Sequence, residues 1–305
     1  MNKSRDDISS LASSVATGDR KALARAITLV ENEMTGSSEL LKILKPGHTV
    51  VLGFTGPPGA GKSSLINAFL KKIVSENKKV AVIAVDPTSP FNYGSLLADR
   101  VRMADHFTNE NVFIRSIATR GSLGGLSEKI IEITDVMKSA GFDFIIIETV
   151  GVGQSEVEIA GLADTTIVVV VPESGDDIQA MKSGIMEIAD IFVVNKSDRP
   201  GADMLSNTIK KMLTGRKESS WSVPVVNTIA TEEKGIDELL NMILLHVKSE
   251  EYKEKRIYLL TEKVYHLARN SRMMGLKREE IKEKLEIAIK DNSFNLYLFA
   301  DQFKN

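Results

Sequence analysis

The sequence predicts an α/β fold, a mainly parallel sheet with helices on both faces, from three observations. Short β-branched runs recur along the chain, helical patterns separate them, and the runs are apolar at consecutive positions instead of alternating. The runs are TVVLGF (49–54), VAVIAV (80–85), NVFIR (111–115), FIIIE (144–148), TIVVVV (166–171), IFVVN (191–195) and VPVVNTI (223–229). A strand covered on both faces needs no polar side, so it reads as a continuous apolar run.

The elements follow in order. Before residue 46, LARAITLVENEM from Leu23 places apolar residues at helical intervals, and Pro46-Gly47 punctuates its end. The strands follow, with LINAFLKKI after the first as a helical pattern. Past about residue 235 strands cease and the sequence becomes charged and helical. Ile257, Leu260, Val264, Leu267 and Met274 form one stripe there, and Ile281, Leu285 and Ile289 a second. The expected organisation is a helical N-terminal extension (1–45), an α/β domain (46–248) and a helical C-terminal extension (249–305).

Composition narrows the function classes. A chain of 305 residues is long enough for a full hydrophobic core. Its 39 basic and 41 acidic residues leave a formal charge of -2, so no global field draws it to nucleic acid or an anionic membrane. With no cysteine, disulfides and thiolate metal sites are excluded, and His48, His106, His246 and His266 lack ligand spacing. The N-terminus shows no apolar signal core, and runs such as IVVVV fall far below the roughly 20 residues of a membrane span. A cytoplasmic protein is expected.

The first strand runs directly into GPPGAGKSS, a G-x-x-x-x-G-K-[ST] motif between strand and helix. Gly56, Pro58, Gly59, Ala60 and Gly61 make a loop whose backbone N–H groups can fold around phosphate oxygens. The helix N-terminus adds positive potential. Lys62 reaches the β- and γ-phosphates, Ser63 offers a hydroxyl to Mg²⁺, and Ser64 continues the cradle. This order of elements predicts the fold of the P-loop nucleoside triphosphatases.

Roughly 130 residues later, DIFVVNKSD supplies Asn195, Lys196 and Asp198 at the end of an apolar strand. A carboxylate such as Asp198 can accept from guanine N1–H and its 2-amino group together, and adenine presents no such donor pair. GTP is therefore expected over ATP.

Further acids follow other strands. Asp86 in AVDPTSP and Asp99 in GSLLADRVRM could hold Mg²⁺ directly or through water; equally, Asp86 could start a turn and Asp99 could solvate a helix face. In FDFIIIETVGVGQSE, Glu148 is either a site residue or a strand-end acid capping the next helix. The RGSLGG loop (120–125) either caps a helix or flexes near the nucleotide. Glu173, Asp176, Asp177, Gln179 and Lys182 crowd the exit of a wholly apolar strand, as a responsive surface would.

Taken in order, GPPGAGKSS, VDPTSP, GSLLADRVRM, RGSLGGLSEK, GFDFIIIETVGVGQSE, GDDIQAMKSGIMEIAD and NKSD resemble the methylmalonyl-CoA mutase-associated GTPases of the MeaB/ArgK type. These are relatives of the nickel-insertion GTPases in which Glu replaces the usual Asp of the switch II motif. The resemblance implies that Glu148 belongs to the metal and water shell of the nucleotide and that Gly151 and the VGQSE after it form a switch. Gln154, by analogy with other GTPases, would orient the attacking water. It also implies a homodimer that escorts an adenosylcobalamin-dependent acyl-CoA mutase, with Mg²⁺ as cofactor and GTP hydrolysis coupled to cofactor loading and protection. The chain departs from the family where Glu173-Ser174 replaces a frequent Gly-Ala pair and Ala98 a frequent Gly. Two other readings are a kinase-type ATPase of a transport system, against which N-K-S-D argues, and a nickel-insertion GTPase, whose metal sites need the Cys or clustered His this chain lacks.

Overall fold

The computed structural model describes residues 5–86, 103–118, 129–149, 155–174, 184–214 and 220–273, together with 283, 284 and 287. The chain divides into two compact units, Met1–Arg256 and Ile257–Asn305.

Three helices open the first unit: α1 (Arg5–Ala16), α2 (Arg20–Glu31) and α3 (Ser37–Ile43). Asp19 starts α2 by accepting the Ala22 N–H at 2.7 Å, which satisfies one of the unpaired donors of the first turn. The helical stripe read from the sequence is the buried face of α2: Leu23, Ala26, Ile27 and Val30. Strands and helices then follow as β1 (Val50–Thr55), α4 (Lys62–Ser75), β2 (Val80–Asp86), β3 (Val112–Ala118), α5 (Ile130–Lys138), β4 (Phe144–Glu148), α6 (Ser155–Glu158), β5 (Thr165–Val170), α7 (Ile185–Ile188), β6 (Ile191–Val194), α8 (Ala202–Leu213), β7 (Val225–Asn227) and α9 (Ile236–Val247). A last helix, α10, runs from Glu250 to Met273.

Each of the seven apolar runs forms a strand, and the strands join in one sheet of order β3-β2-β4-β1-β5-β6-β7 in which every pairing is parallel. The apolar runs have no polar alternation because both faces are covered. Val51, Ile145 and Ile147 point into a core shared with α1, α2, α3 and α5. Their neighbours Leu52, Phe54 and Ile146 point the other way, into a core closed by α4 and α9. Farther along the sheet, Val168, Val170, Phe192 and Val194 meet Ala202, Leu205 and Ile209 of α8.

The N-terminal helices thus belong to the same compact unit as the sheet. Arg115 of β3 reinforces them, donating to Glu31 of α2 at 2.8 Å in a pair that is largely withdrawn from solvent. At the opposite edge of β5, the buried Asp164 carboxylate accepts the Val51 N–H at 2.9 Å and so ties β1 to the start of β5.

In the second unit, Ile257, Leu260 and Val264 of α10 are 68%, 53% and 67% exposed. The side chain of Leu267 lies outside the described residues, as do Met274, Ile281, Leu285 and Ile289. No described helix is long and apolar enough to cross a membrane.

Candidate functional site: a phosphate loop joined to the NKSD turn

The loop from Gly56 to Gly61 leaves the C-terminal end of β1, between β4 on one side and β5 on the other. In open α/β sheets this end of the strands is where ligands bind. Gly56 has φ +137°, and an added Cβ would collide with the Val169 carbonyl of the neighbouring strand. Gly61, at φ +83°, caps α4 in the left-handed region. Its position would also place a Cβ 2.5 Å from Asn195 Nδ2. Both glycines are therefore required by backbone path and by crowding together.

Lys62 opens α4 and is buried, its Nζ donating to the Gly56 carbonyl at 2.7 Å and the Pro57 carbonyl at 3.2 Å. The ammonium is thus held inside the curve of the loop. Ser63 follows, also buried, and its hydroxyl donates to Glu148 Oε1 at 2.7 Å.

Glu148 is the last residue of β4, directly beside Phe54 of β1 and only 4% exposed. Burial at a strand end beside the phosphate loop brings this carboxylate to the first turn of α4. The next residue locks the same strand ends, with the Thr149 N–H on the Phe54 carbonyl at 3.1 Å and its hydroxyl on Thr55 Oγ1 at 3.2 Å.

The NKSD segment arrives from β6. Asn195 donates through Nδ2 to the Ala60 carbonyl at 3.0 Å, and Lys196 donates through Nζ to the Gly59 carbonyl at 2.9 Å. Two segments 135 residues apart are in this way hydrogen-bonded into one surface. Lys196 adopts φ +55°, a left-handed conformation that non-glycine residues adopt only when their surroundings enforce it, and here its own bond to the loop and the Arg199 N–H on its carbonyl at 3.0 Å do so. Asp198 is exposed at the outer side of this turn.

Two residues of this surface were missed by sequence reasoning. Thr228 Oγ1 donates to Asn195 Oδ1 at 3.1 Å, and the Ala230 N–H donates to the same oxygen at 3.3 Å. The sequence pattern extends the last strand through VPVVNTI, but β7 spans only Val225–Asn227, and Thr228 turns out of it towards Asn195. The small and polar run TIATEEKG after a short apolar stretch was the signal that could have found them.

Of the remaining expected site residues, Asp86 ends β2, where the strand pairs with β3 at Asp86↔Ala118, and its side chain lies outside the described residues. Asp99, Gly151 and Gln154 also lie outside them, as do the 120–125 loop and Asp176, Asp177, Gln179 and Lys182. Pro58, Gly59, Ala60 and Ser64 occupy the loop and the start of α4 as expected from the motif.

The oxygen donors at this site suit a small hard cation. Mg²⁺ takes oxygen ligands and is usually held by one or two protein groups together with phosphate and water, so the Ser63 hydroxyl beside the Glu148 carboxylate fits it. No group of three or more His, Cys, Asp or Glu side chains that could hold a metal ion occurs among the described residues.

A sequence model of the family described as methylmalonyl Co-A mutase-associated GTPase MeaB matches residues 23–284. The chain belongs to the MeaB family of P-loop GTPases. A Pyrococcus abyssi protein named as a GTPase is 47% identical over 267 residues, covering 84% of this chain and 82% of that protein. GTPase ArgK of Escherichia coli is 42% identical over 240 residues, covering 74% of this chain and 72% of its own. The mouse protein named methylmalonic aciduria type A homolog, mitochondrial, is 35% identical over 260 residues, covering 78% of this chain and 62% of that one. Among solved structures, that of a LAO/AO transport system kinase superposes with a TM-score of 0.69 at 28% identity, covering 99% of this chain and 97% of that one. As a MeaB-family GTPase, the chain binds guanine nucleotide.

Proposed function

We propose that this protein is a Mg²⁺-dependent GTPase that acts as a homodimeric chaperone for an adenosylcobalamin-dependent acyl-CoA mutase in the cytoplasm, coupling GTP hydrolysis to cofactor loading and protection. The observation that carries the nucleotide chemistry is the convergence of the phosphate loop, Glu148 and the NKSD turn through the Ser63–Glu148, Asn195–Ala60 and Lys196–Gly59 hydrogen bonds. The mutase role is supported by the family's description and by the name of the mouse relative.

In this reading the backbone N–H groups of the loop and Lys62 bind the phosphates. Lys62 exchanges its bonds to the Gly56 and Pro57 carbonyls for anionic oxygens, which are stronger acceptors. Ser63 and Glu148, with Asp86 and Asp99, would hold Mg²⁺ directly or through water. The cation would supply charge neutralisation at the β- and γ-phosphates. Asp198 accepts from the guanine edge, Asn195 and Lys196 fix its turn against the phosphate loop, and Gln154 orients the attacking water. Gly151 and the residues after it give the switch the backbone freedom for two arrangements, while Glu148 anchors it to a rigid strand. The exposed stripe of Ile257, Leu260 and Val264 supports pairing with a second copy.

The test is reconstitution with the mutase co-purified from the native source. GTP should gate transfer of adenosylcobalamin to the apo-mutase and the mutase should raise GTP turnover; neither effect from any co-purifying acyl-CoA mutase would end the proposal. The likeness to the LAO/AO transport system kinase favours a second reading, a kinase of transport components. Competition between GTP and ATP for the same site separates the two, since the kinase reading requires ATP to compete well.

A further inference from the structure

Asp198 has two cations beside it. Arg199 is its chain neighbour, and Lys234 stands in the turn after β7, which the Ser197 N–H joins to the recognition segment through the Thr228 carbonyl at 3.0 Å; the Arg199 and Lys234 pKa values are raised first by their own partners, Glu173 and Glu232, with the Asp198 charge adding in the same direction. Both positions are fixed by backbone. The Arg199 N–H bonds the Lys196 carbonyl at 3.0 Å, and Lys234 closes a small bridge with Ile229, whose N–H donates to the Lys234 carbonyl at 3.1 Å. Thr228 and Ala230, on either side of Ile229, both donate to Asn195 Oδ1, so this turn borders the NKSD surface.

A carboxylate flanked by two exposed cations would ordinarily pair with one of them. A guanidinium fork is charged, whereas guanine N1–H and its 2-amino group are neutral donors, so an internal Arg competes well with the base for the same oxygens. In this protein each cation is instead engaged by a different carboxylate. Arg199 donates to Glu173 Oε1, and Lys234 Nζ lies 2.6 Å from Glu232 Oε2. Glu173 belongs to the short Pro172–Ser174 turn leaving β5, which emerges beside the recognition turn because β5 and β6 pair directly at Val170↔Val194.

We propose that Glu173 and Glu232 are positioning residues that hold Arg199 and Lys234 off the Asp198 carboxylate, keeping both of its oxygens available to guanine. The proposal rests on the reading of Asp198 as the guanine acceptor. All four partners are about half exposed or more, so solvent screens each pair and the effect on affinity is bounded at about five-fold per cation.

The sign of the effect makes it testable. With the full-length chain and a fluorescent GDP analogue, Glu173→Ala should raise Kd about two- to five-fold at 0.05 M salt, because it releases Arg199 onto Asp198. The loss should shrink towards wild type at 1 M salt, where the screening length falls to about 3 Å. Arg199→Ala alone should bind no more weakly than wild type, and Glu173→Ala with Arg199→Ala should return to the wild-type value. Glu232→Ala, Lys234→Ala and their double variant should repeat the pattern. If Arg199→Ala weakens binding as much as Glu173→Ala and the double variant stays weak, the pair is a strut for the turn and the proposal is overturned; an unchanged Kd for both Glu173→Ala and Glu232→Ala overturns it as well. Asp198→Asn separates this failure from the underlying reading. Loss of GDP binding there with Glu173→Ala unchanged refutes only the guarding role, and wild-type binding by Asp198→Asn refutes both.

Discussion

Ser63 donates its hydroxyl hydrogen to Glu148 Oε1 over 2.7 Å, joining the first turn of α4 to the last residue of β4 across 85 positions of sequence. Glu148→Gln keeps size and most packing while removing the charge. GTP turnover should fall about 10- to 100-fold, with a weaker Mg²⁺ dependence of nucleotide binding. A Mg²⁺ titration of fluorescent GDP binding, alongside phosphate release, checks this; a change confined to thermal stability would return Glu148 to a strand-end role.

Gly61→Ala tests the contact between loop and recognition turn. The new Cβ would meet Asn195 Nδ2 at 2.5 Å in a left-handed conformation that costs an L-residue about 1–2 kcal/mol. Displacing Asn195 also breaks its bond to the Ala60 carbonyl. The expected outcome is a lower melting temperature and loss of most of the stabilisation that GDP gives wild type, read by thermal unfolding with and without nucleotide. Full stabilisation by GDP would show that Asn195 can move without cost.

Stability should fall in acid through His246. This ring is fully buried, with Nδ1 2.8 Å from Thr165 Oγ1, Nε2 3.6 Å from Asp190 Oδ1, and Trp221 and Tyr252 packed edge-on against it. Burial pushes its pKa below the ordinary 6.5; Asp190, Glu251 and Asp164 oppose the shift and Lys255 adds to it. The unfolded chain therefore binds a proton more readily than the native one. Stability is complete above pH 6.5 and declines as the pH drops below that value, by at most about 1.4 kcal/mol per pH unit for one group. His106, also lowered by burial, acts in the same direction. Urea unfolding from about pH 7.5 to 5 should show this slope, and His246→Asn should remove part of it; an equal slope in that variant would place the acid sensitivity elsewhere.

Leu260→Asp with Val264→Asp tests the proposed dimer. Both side chains are more than half exposed, so the charges meet water in a monomer and an apolar seam in a dimer. The variant should be a folded monomer that still binds GDP, while wild type is a dimer by light scattering at tens of micromolar. A monomeric wild type at that concentration ends the proposal.

The seven strands and the phosphate loop were legible in the sequence because their signals are local. Burial on both faces writes continuous apolar runs, and Gly56, Gly61, Lys62 and Ser63 lie within one turn of chain and one turn of helix. Strand order was not legible: β1 pairs with β4, which begins 94 residues later at Phe144↔Val50, and no periodicity records which crossover brings two strands together. For the same reason the sequence did not show that the register of Glu148 beside Phe54 brings it to Ser63. Thr228 looked like strand because its β-branched side chain suits one, yet its hydroxyl is spent on Asn195. Glu173 reads in the sequence as part of a responsive surface at a strand exit, with nothing to tie it to Arg199, and only the pairing of β5 with β6 makes the two neighbours. Sequence alone determined which segments could bury and which loop could hold phosphate. Tertiary structure decided which polar groups meet, because hydrogen bonds and ion pairs act over a few ångströms while the residues that make them lie tens of positions apart.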